Sequence, residues 1–200
     1  MNQVEFFYDI SSPWTYFACA RIEAFCQRND AELIWKPFLV GGVFNKVNPS
    51  VYERRNNPVP PKDAYYQKDM RDWAAYLDIA MIKPSVFPLN SVKCLRGAFV
   101  AIDEGTISAY SRACFKAYWC EDRDISQESE LLEIVTSVGM DPDKFFASIG
   151  QDNYKKKLFE TTDDLIARGG FGSPTFFLNG TDMYFGNDRL ELMQAAIDRG

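Results

Sequence analysis

Ser12-Pro13-Trp14-Thr15 stands where a short aromatic run, Val4-Glu5-Phe6-Phe7-Tyr8-Asp9, gives way to a helical pattern. Proline has a fixed φ and no N–H, so Pro13 suits the first helical position, with Ser12 as N-cap. A helix start carries about half a positive charge and several unpaired N–H groups, which makes it an anion site. Ser12 adds a hydroxyl donor there; the plainer reading, Ser12 as a cap and nothing more, stands beside it. Other chemistries are excluded by what is missing. The chain has no histidine, so Ser-His-Asp and Cys-His catalysis and His-containing metal sites are ruled out for it alone. Cys19, Cys26, Cys94, Cys114 and Cys120 include no Cys-x-x-Cys pair and read as reduced, partly buried thiols.

The elements that position the turn follow from periodicity. Residues 4–9 read as a strand, Trp14 to about Gln27 as a helix, and Glu32–Phe38 as a second strand, which makes a right-handed parallel βαβ unit. Residues 39–62, rich in Gly, Asn and Pro, read as a long functional loop. Helices follow at Asp63–Leu77, Ser91–Glu104, Thr106–Trp119, Glu128–Val138, Pro142–Ile149 and Asn153–Arg168. Then Pro174–Leu178 and Asp182–Phe185 form a hairpin about Asn179-Gly180, and Asn187 or Asp188 caps a last helix through Ile197. The expected organisation is one α/β domain, residues 1–40 and 170–200, split by 41–169, a loop plus an all-helical subdomain. Among the aromatics, Tyr16, Trp73 and Trp119 read as core, and Trp14, inside the turn, as a substrate wall.

Composition narrows the class. At 200 residues with 46% hydrophobic and 15% aromatic residues, the chain can bury a sizeable core and is not disordered. A net charge of −6 argues against nucleic acid. No apolar run reaches the roughly 20 residues of a membrane helix, and the N-terminus lacks a basic signal-peptide region. The expectation is a cytoplasmic protein without membrane or nucleic-acid partners.

A Pro-led helix after the first strand and an x-Pro before the third resemble the thioredoxin superfamily, whose active turn is Cys-Pro-x-Cys. Here Ser12 and Thr15 replace both redox cysteines. Dithiol–disulfide exchange needs an attacking and a leaving thiolate, and this turn supplies neither. It could still stabilise a ligand's thiolate, since helix N-termini lower thiol pKa values and Ser12 can donate to sulfur. Gly172-Ser173-Pro174-Thr175 resembles the superfamily's cis-Pro segment opposite the active turn, where the residue before proline offers its N–H and C=O to a peptide ligand. The two elements suit a small thiol peptide, with glutathione the obvious candidate.

More specifically, Ser12-Pro13 with Tyr16-Phe17-Ala18, Phe171-Gly172-Ser173-Pro174-Thr175-Phe176-Phe177, and Phe185-Gly186-Asn187-Asp188-Arg189-Leu190 resemble the 2-hydroxychromene-2-carboxylate isomerase family. That family is grouped with kappa-class glutathione transferases and DsbA-like oxidoreductases, and the likeness runs along essentially the whole chain. It implies a thioredoxin-like fold, glutathione as cofactor, a small aromatic carboxylate as substrate, a role in aromatic degradation and a homodimer. By the same resemblance Ser12 activates the glutathione sulfur, Ser173 and Pro174 hold the tripeptide backbone, and Phe185, Gly186, Asn187 and Asp188 bind the γ-glutamyl end. Physical chemistry agrees at that end: Asp188 offers a carboxylate to its ammonium, and the last helix offers N–H groups to its carboxylate. Lys46, Asn56, Asn57 and Asn90 fall on the substrate side, in or beyond a loop that also holds Arg54, Arg55 and Lys62. Asn57 stands where the resemblance leads one to expect Arg, and Ser91 where it leads one to expect a substrate-contacting Tyr, which leaves the aromatic substrate open. The implied reaction is cis–trans isomerisation by reversible thiolate addition, rotation and elimination. Two alternatives stand beside it: a kappa-like transferase, which would consume glutathione, and a non-catalytic glutathione-binding module.

Overall fold

A computed structural model describes residues 1–200. Its centre is a four-stranded mixed sheet in the order β2-β1-β3-β4. Strands β1 (Asn2–Tyr8) and β2 (Ala31–Pro37) run parallel, joined by helix α1 (Pro13–Arg28), as the βαβ pattern requires. Strand β3 (Thr175–Leu178) pairs antiparallel with β1, and β4 (Asp182–Phe185) with β3. No helix is long and apolar enough to cross a membrane.

Alternation along β1 sends its side chains to two different cores. Val4, Phe6 and Tyr8 enter the larger one, where Phe6 stacks on Tyr8 and Phe176 with ring centroids 5.2 and 5.3 Å apart. That core runs without a break into helices α5 (Val92–Asp103), α6 (Ile107–Trp119), α7 (Glu128–Ser137) and α8 (Pro142–Ile149). Phe7 faces the other way, into a small core with Phe38, Val43, Leu165 and Phe177. Leu165 lies on helix α9 (Asp152–Ala167), so α9 closes the second face of the sheet. Two bonds pin the end of β1 to α6: Trp119 Nε1 donates to the Ile10 carbonyl at 2.8 Å, and the Tyr8 and Ser111 hydroxyls pair at 2.9 Å.

Two expectations need correction. Residues 39–62 are not an irregular loop: they hold helix α2 (Val40–Val47), helix α3 (Ser50–Asn56) and the start of helix α4 (Pro60–Tyr76). Local signals are weak in α2, whose Leu39 cap has no side-chain hydrogen bond. The caps come from far along the chain: Asp9 Oδ2 accepts the Val40 N–H at 2.9 Å, and Thr162 Oγ1 accepts the Leu39 N–H at 3.0 Å. For α4, prolines at its first positions mark the start that apolar spacing misses. The second correction concerns the last helix. Neither Asn187 nor Asp188 caps it with a side chain; the chain enters through a 3₁₀ turn, Asn187–Arg189, before helix α10 (Leu190–Ile197). Gly186, at φ 111°, makes that entry, and such a backbone is strained for any other residue.

Candidate active site

The turn after β1 has the geometry its sequence implies. Ser12 is extended (φ −98°, ψ 121°) and caps α1, its Oγ accepting the Thr15 N–H at 3.3 Å. The Ser173–Pro174 peptide is cis and faces this turn. Ser12 Oγ donates to the Ser173 carbonyl at 3.1 Å, and the Thr15 and Ser173 hydroxyls pair at 2.7 Å in buried surroundings. The positions that carry cysteines in redox members thus lock the turn to the segment opposite through hydroxyls. The Ser173 N–H has no acceptor within the chain. None of the five cysteines is disulfide-bonded, and burial pushes the Cys19 and Cys26 thiols up to about 12, so neither supplies a nucleophile here.

The segment Phe185–Asp188 lies at the end of β4. The Gly186 N–H donates to the Pro174 carbonyl at 3.1 Å, which ties it to the cis-Pro segment. The Phe185 ring covers Gly172, where an added Cβ would come within 2.7 Å of it, and lies 4.4 Å from the Phe171 ring. Asn187 is buried, its carbonyl accepting from Arg21 at 3.1 Å, and its Nδ2 has no partner. Asp188 is half exposed and pairs with Arg189 at 2.7 Å.

Beside Ser11, on the other side of the turn, is a cavity of about 210 Å³. Its walls come from α2 (Phe44), α3 (Tyr52, Arg55) and the stretch Phe87–Ser91. Asn90 lines it. Lys46, Asn56 and Asn57 do not: Lys46 is exposed and pairs with Asp163 at 2.6 Å, and the two asparagines are exposed at the end of α3. The cavity's cation is Arg55, whose guanidinium lies over the Phe44 and Phe87 rings at 5.7 and 5.4 Å. In the sequence Arg55 is one loop cation among four, because the rings that hold it come from different segments. Trp14 meets Tyr66 of α4 edge to face at 5.5 Å and does not line the cavity; Trp119 is core, whereas Trp73 on α4 is only half-buried, since that helix buries no residue.

A mixed four-stranded sheet, a Pro-led helix facing a cis-Pro segment and a helical insertion between them define a thioredoxin-like protein whose active turn has hydroxyls for thiols. The chain matches the family model for the DSBA-like thioredoxin domain over residues 3–198, and it belongs to that family. It is similar to 2-hydroxychromene-2-carboxylate isomerase from Pseudomonas putida, 28% identical over 98% of this chain and 94% of that protein. Glutathione S-transferase kappa 1 of Rattus norvegicus is 26% identical over 95% of this chain and 88% of its own. Among solved structures, one of 2-hydroxychromene-2-carboxylate isomerase superposes with a TM-score of 0.84 at 28% identity, covering 98% of this chain and 95% of that one. A probable DsbA oxidoreductase from Streptomyces coelicolor shares the fold at a TM-score of 0.83 and 17% identity, covering 100% and 89%.

Proposed function

We propose that the protein is a glutathione-dependent cis–trans isomerase of aromatic keto acids resembling 2-hydroxychromene-2-carboxylate. The observation that carries this is the Ser12 hydroxyl at the start of α1, 3.1 Å from the Ser173 carbonyl, in a turn whose neighbouring residue, Ser11, lines an aromatic-walled cavity with one arginine. The donors suit the tripeptide. The Ser173 N–H, opposite the turn, lacks an acceptor within the chain, and Asn187 Nδ2, on the segment that Gly186 ties to Pro174, is a buried donor without a partner. Buried donors of this kind are costly to leave unpaired.

Ser12 would donate to the ligand sulfur in place of the Ser173 carbonyl, and the start of α1 would favour its anion. Ser173 would hold the tripeptide backbone through its N–H and C=O. Asn187, with Asp188 at the surface, would hold the γ-glutamyl end. Arg55 and Asn90 would hold the substrate carboxylate, with Phe44 and Phe87 against the aromatic ring. Lys46, Asn56 and Asn57 would act at the cavity's outer rim, where Lys46 has first to leave Asp163. When bound, glutathione supplies a thiolate whose reversible addition lowers the order of the substrate double bond, which can then rotate.

The test is to titrate the absorbance of bound glutathione thiolate against pH and to follow isomerisation with total glutathione. A bound thiol well below its free value of ~8.5, with isomerisation at constant glutathione, supports the reading; an unshifted thiol ends it. The kappa-class relatives, 26% identical along nearly the whole chain, favour transferase chemistry as the second reading. Stoichiometric loss of glutathione would identify it.

A further inference from the structure

One buried group beside this site has no part in the scheme above. Asp9, at the end of β1, is fully buried and borders the cavity with Ser11, Asn90 and Ser91. Its two carboxylate oxygens serve different segments. Oδ1 accepts the Ser11 N–H and Oδ2 the Val40 N–H, each at 2.9 Å. Its own peptide serves two more: the Asp9 N–H donates to Ser173 Oγ at 3.1 Å, and its carbonyl accepts the Ser12 N–H at 3.2 Å. One residue thus bonds the active turn, the cis-Pro segment and the first turn of α2, which carries the Phe44 wall.

We propose that Asp9 is the positioning residue of this site, its carboxylate holding the Ser12 turn and the cavity wall in one register while its peptide holds Ser173. The proposal rests on the glutathione reading. An ionised carboxylate is acceptor-only and can serve two N–H groups at once. Asparagine has the same shape but turns an NH₂ toward one of them, so either the turn or α2 loses its anchor.

The charge has a second consequence. No cation balances Asp9, and burial pushes its carboxyl up against the hydrogen bonds from Ser11, Val40 and the Ser91 side chain. Cys94 of α5 and Tyr118 of α6 also face it; both are pushed up, Cys94 chiefly by its hydrogen bond with Cys114 and Tyr118 by burial, so they are neutral at neutral pH. Tyr8 on its own strand is likewise pushed up by burial, and Arg55 stands at the cavity wall. In its ionised form, which the N–H donors to both oxygens favour, Asp9 meets a thiolate at the start of α1 as a like charge, and like charges raise each other's proton affinity. Asp9 would keep the bound thiol less acidic than the helix terminus alone makes it, which preserves nucleophilicity, since that falls with pKa.

The experiment compares wild type with Asp9→Asn. The bound glutathione thiol should titrate lower in the variant by about one pH unit. KM for the aromatic acid should rise on the order of tenfold, as one anchoring hydrogen bond is lost, with a smaller change in glutathione affinity. A merely structural role would raise the thiol pKa along with KM, or move neither. Should Asp9→Asn fail to fold, the wild-type protein carries the same test. With ¹³C-labelled aspartate, the Asp9 carboxyl should titrate higher with glutathione bound than with S-methylglutathione, which has no thiol to ionise. If glutathione binds with a lowered thiol pKa but Asp9→Asn changes neither that pKa nor KM, or the Asp9 carboxyl titrates alike with both ligands, Asp9 is not the positioning residue and the functional reading stands. If glutathione does not bind, both fall.

Discussion

The two sides of the candidate site are built to different standards. The proposed glutathione side stands on the sheet: α1 alone buries eight residues, and Ser12, Thr15 and Ser173 are cross-bonded at its start. The proposed substrate side is framed by helices with little burial: α2 buries only Val43, α3 buries nothing, and α4, which meets Trp14 through Tyr66, buries nothing. It is held by edge contacts such as Trp14 on Tyr66 and Phe44 on Tyr52, and by Arg55 across Phe44 and Phe87. A side fixed by the core cannot change without unfolding the sheet, whereas a wall with so little burial can change its lining at small cost.

The largest effect that would sharpen this contrast is on stability. Phe6 has no exposure and touches rings on three sides, so Phe6→Ala should cost about 3–5 kcal/mol in denaturant unfolding. Tyr76→Ala, on α4 at 74% exposure, should stay within about 0.5 kcal/mol. Equal losses would mean that α4 is as much part of the core as β1, and the contrast would be false.

Next in size is Ser12. Ser12→Ala keeps the helix terminus and removes one aimed donor, which typically costs on the order of 10²-fold in rate; glutathione should still bind. Ser12→Cys places a thiol where its pKa is depressed. It should trap oxidised glutathione as a mixed disulfide, since Thr15 offers no resolving thiol. Mass spectrometry locating the adduct on a native cysteine instead would remove residue 12 from the sulfur's path.

Substitutions on the wall should be milder and confined to the aromatic acid. Arg55→Gln should raise KM for it about tenfold, the loss of a partly exposed charge-assisted bond, with glutathione affinity unchanged by calorimetry. A comparable loss of glutathione affinity would join the two sides into one site. Asp188→Asn should weaken glutathione by less than that, because Asp188 is 45% exposed and already paired with Arg189.

How much of this was legible in the sequence follows the same division. Strands β1, β3 and β4 and helix α1 announce themselves through alternation, Asn179-Gly180 and Ser12-Pro13, because each signal is local. Helix α2 does not, since its caps are Asp9, 31 residues away, and Thr162, 123 residues away. Arg55 was hidden for the same reason. For Asn187 residue type alone suggests a cap and the resemblance a binding role, but neither reports that its side chain is buried without a partner. A linear pattern cannot report bonds made between distant segments, and the substrate wall is made of such bonds.

The smallest effect tests how far the firm side extends toward Ser173. Arg168, just past α9, bonds Glu5 of β1 at 2.5 Å and donates to the Gly180 carbonyl at 2.9 Å. Its guanidinium lies 3.7 Å from the centroid of Phe177. Phe171 and the cis-Pro segment follow within a few residues, so this bond anchors the approach to the site. Burial raises the Glu5 carboxyl, but Arg168 and then Lys36 outweigh it and hold it below the usual carboxylate range. A lowered folded-state pKa stabilises the protein above the unfolded value, and the gain is lost as pH falls through the lowered one. Thermal midpoints of wild type and Glu5→Gln should therefore differ at pH 7 and converge below the ordinary glutamate range. Because the pair is only partly buried, the gap at pH 7 should be well below that of Phe6→Ala. A gap that persists unchanged at pH 3 would mean that Glu5 contributes through packing and not through its charge, and the anchor would then have to be assigned to Arg168 on Phe177.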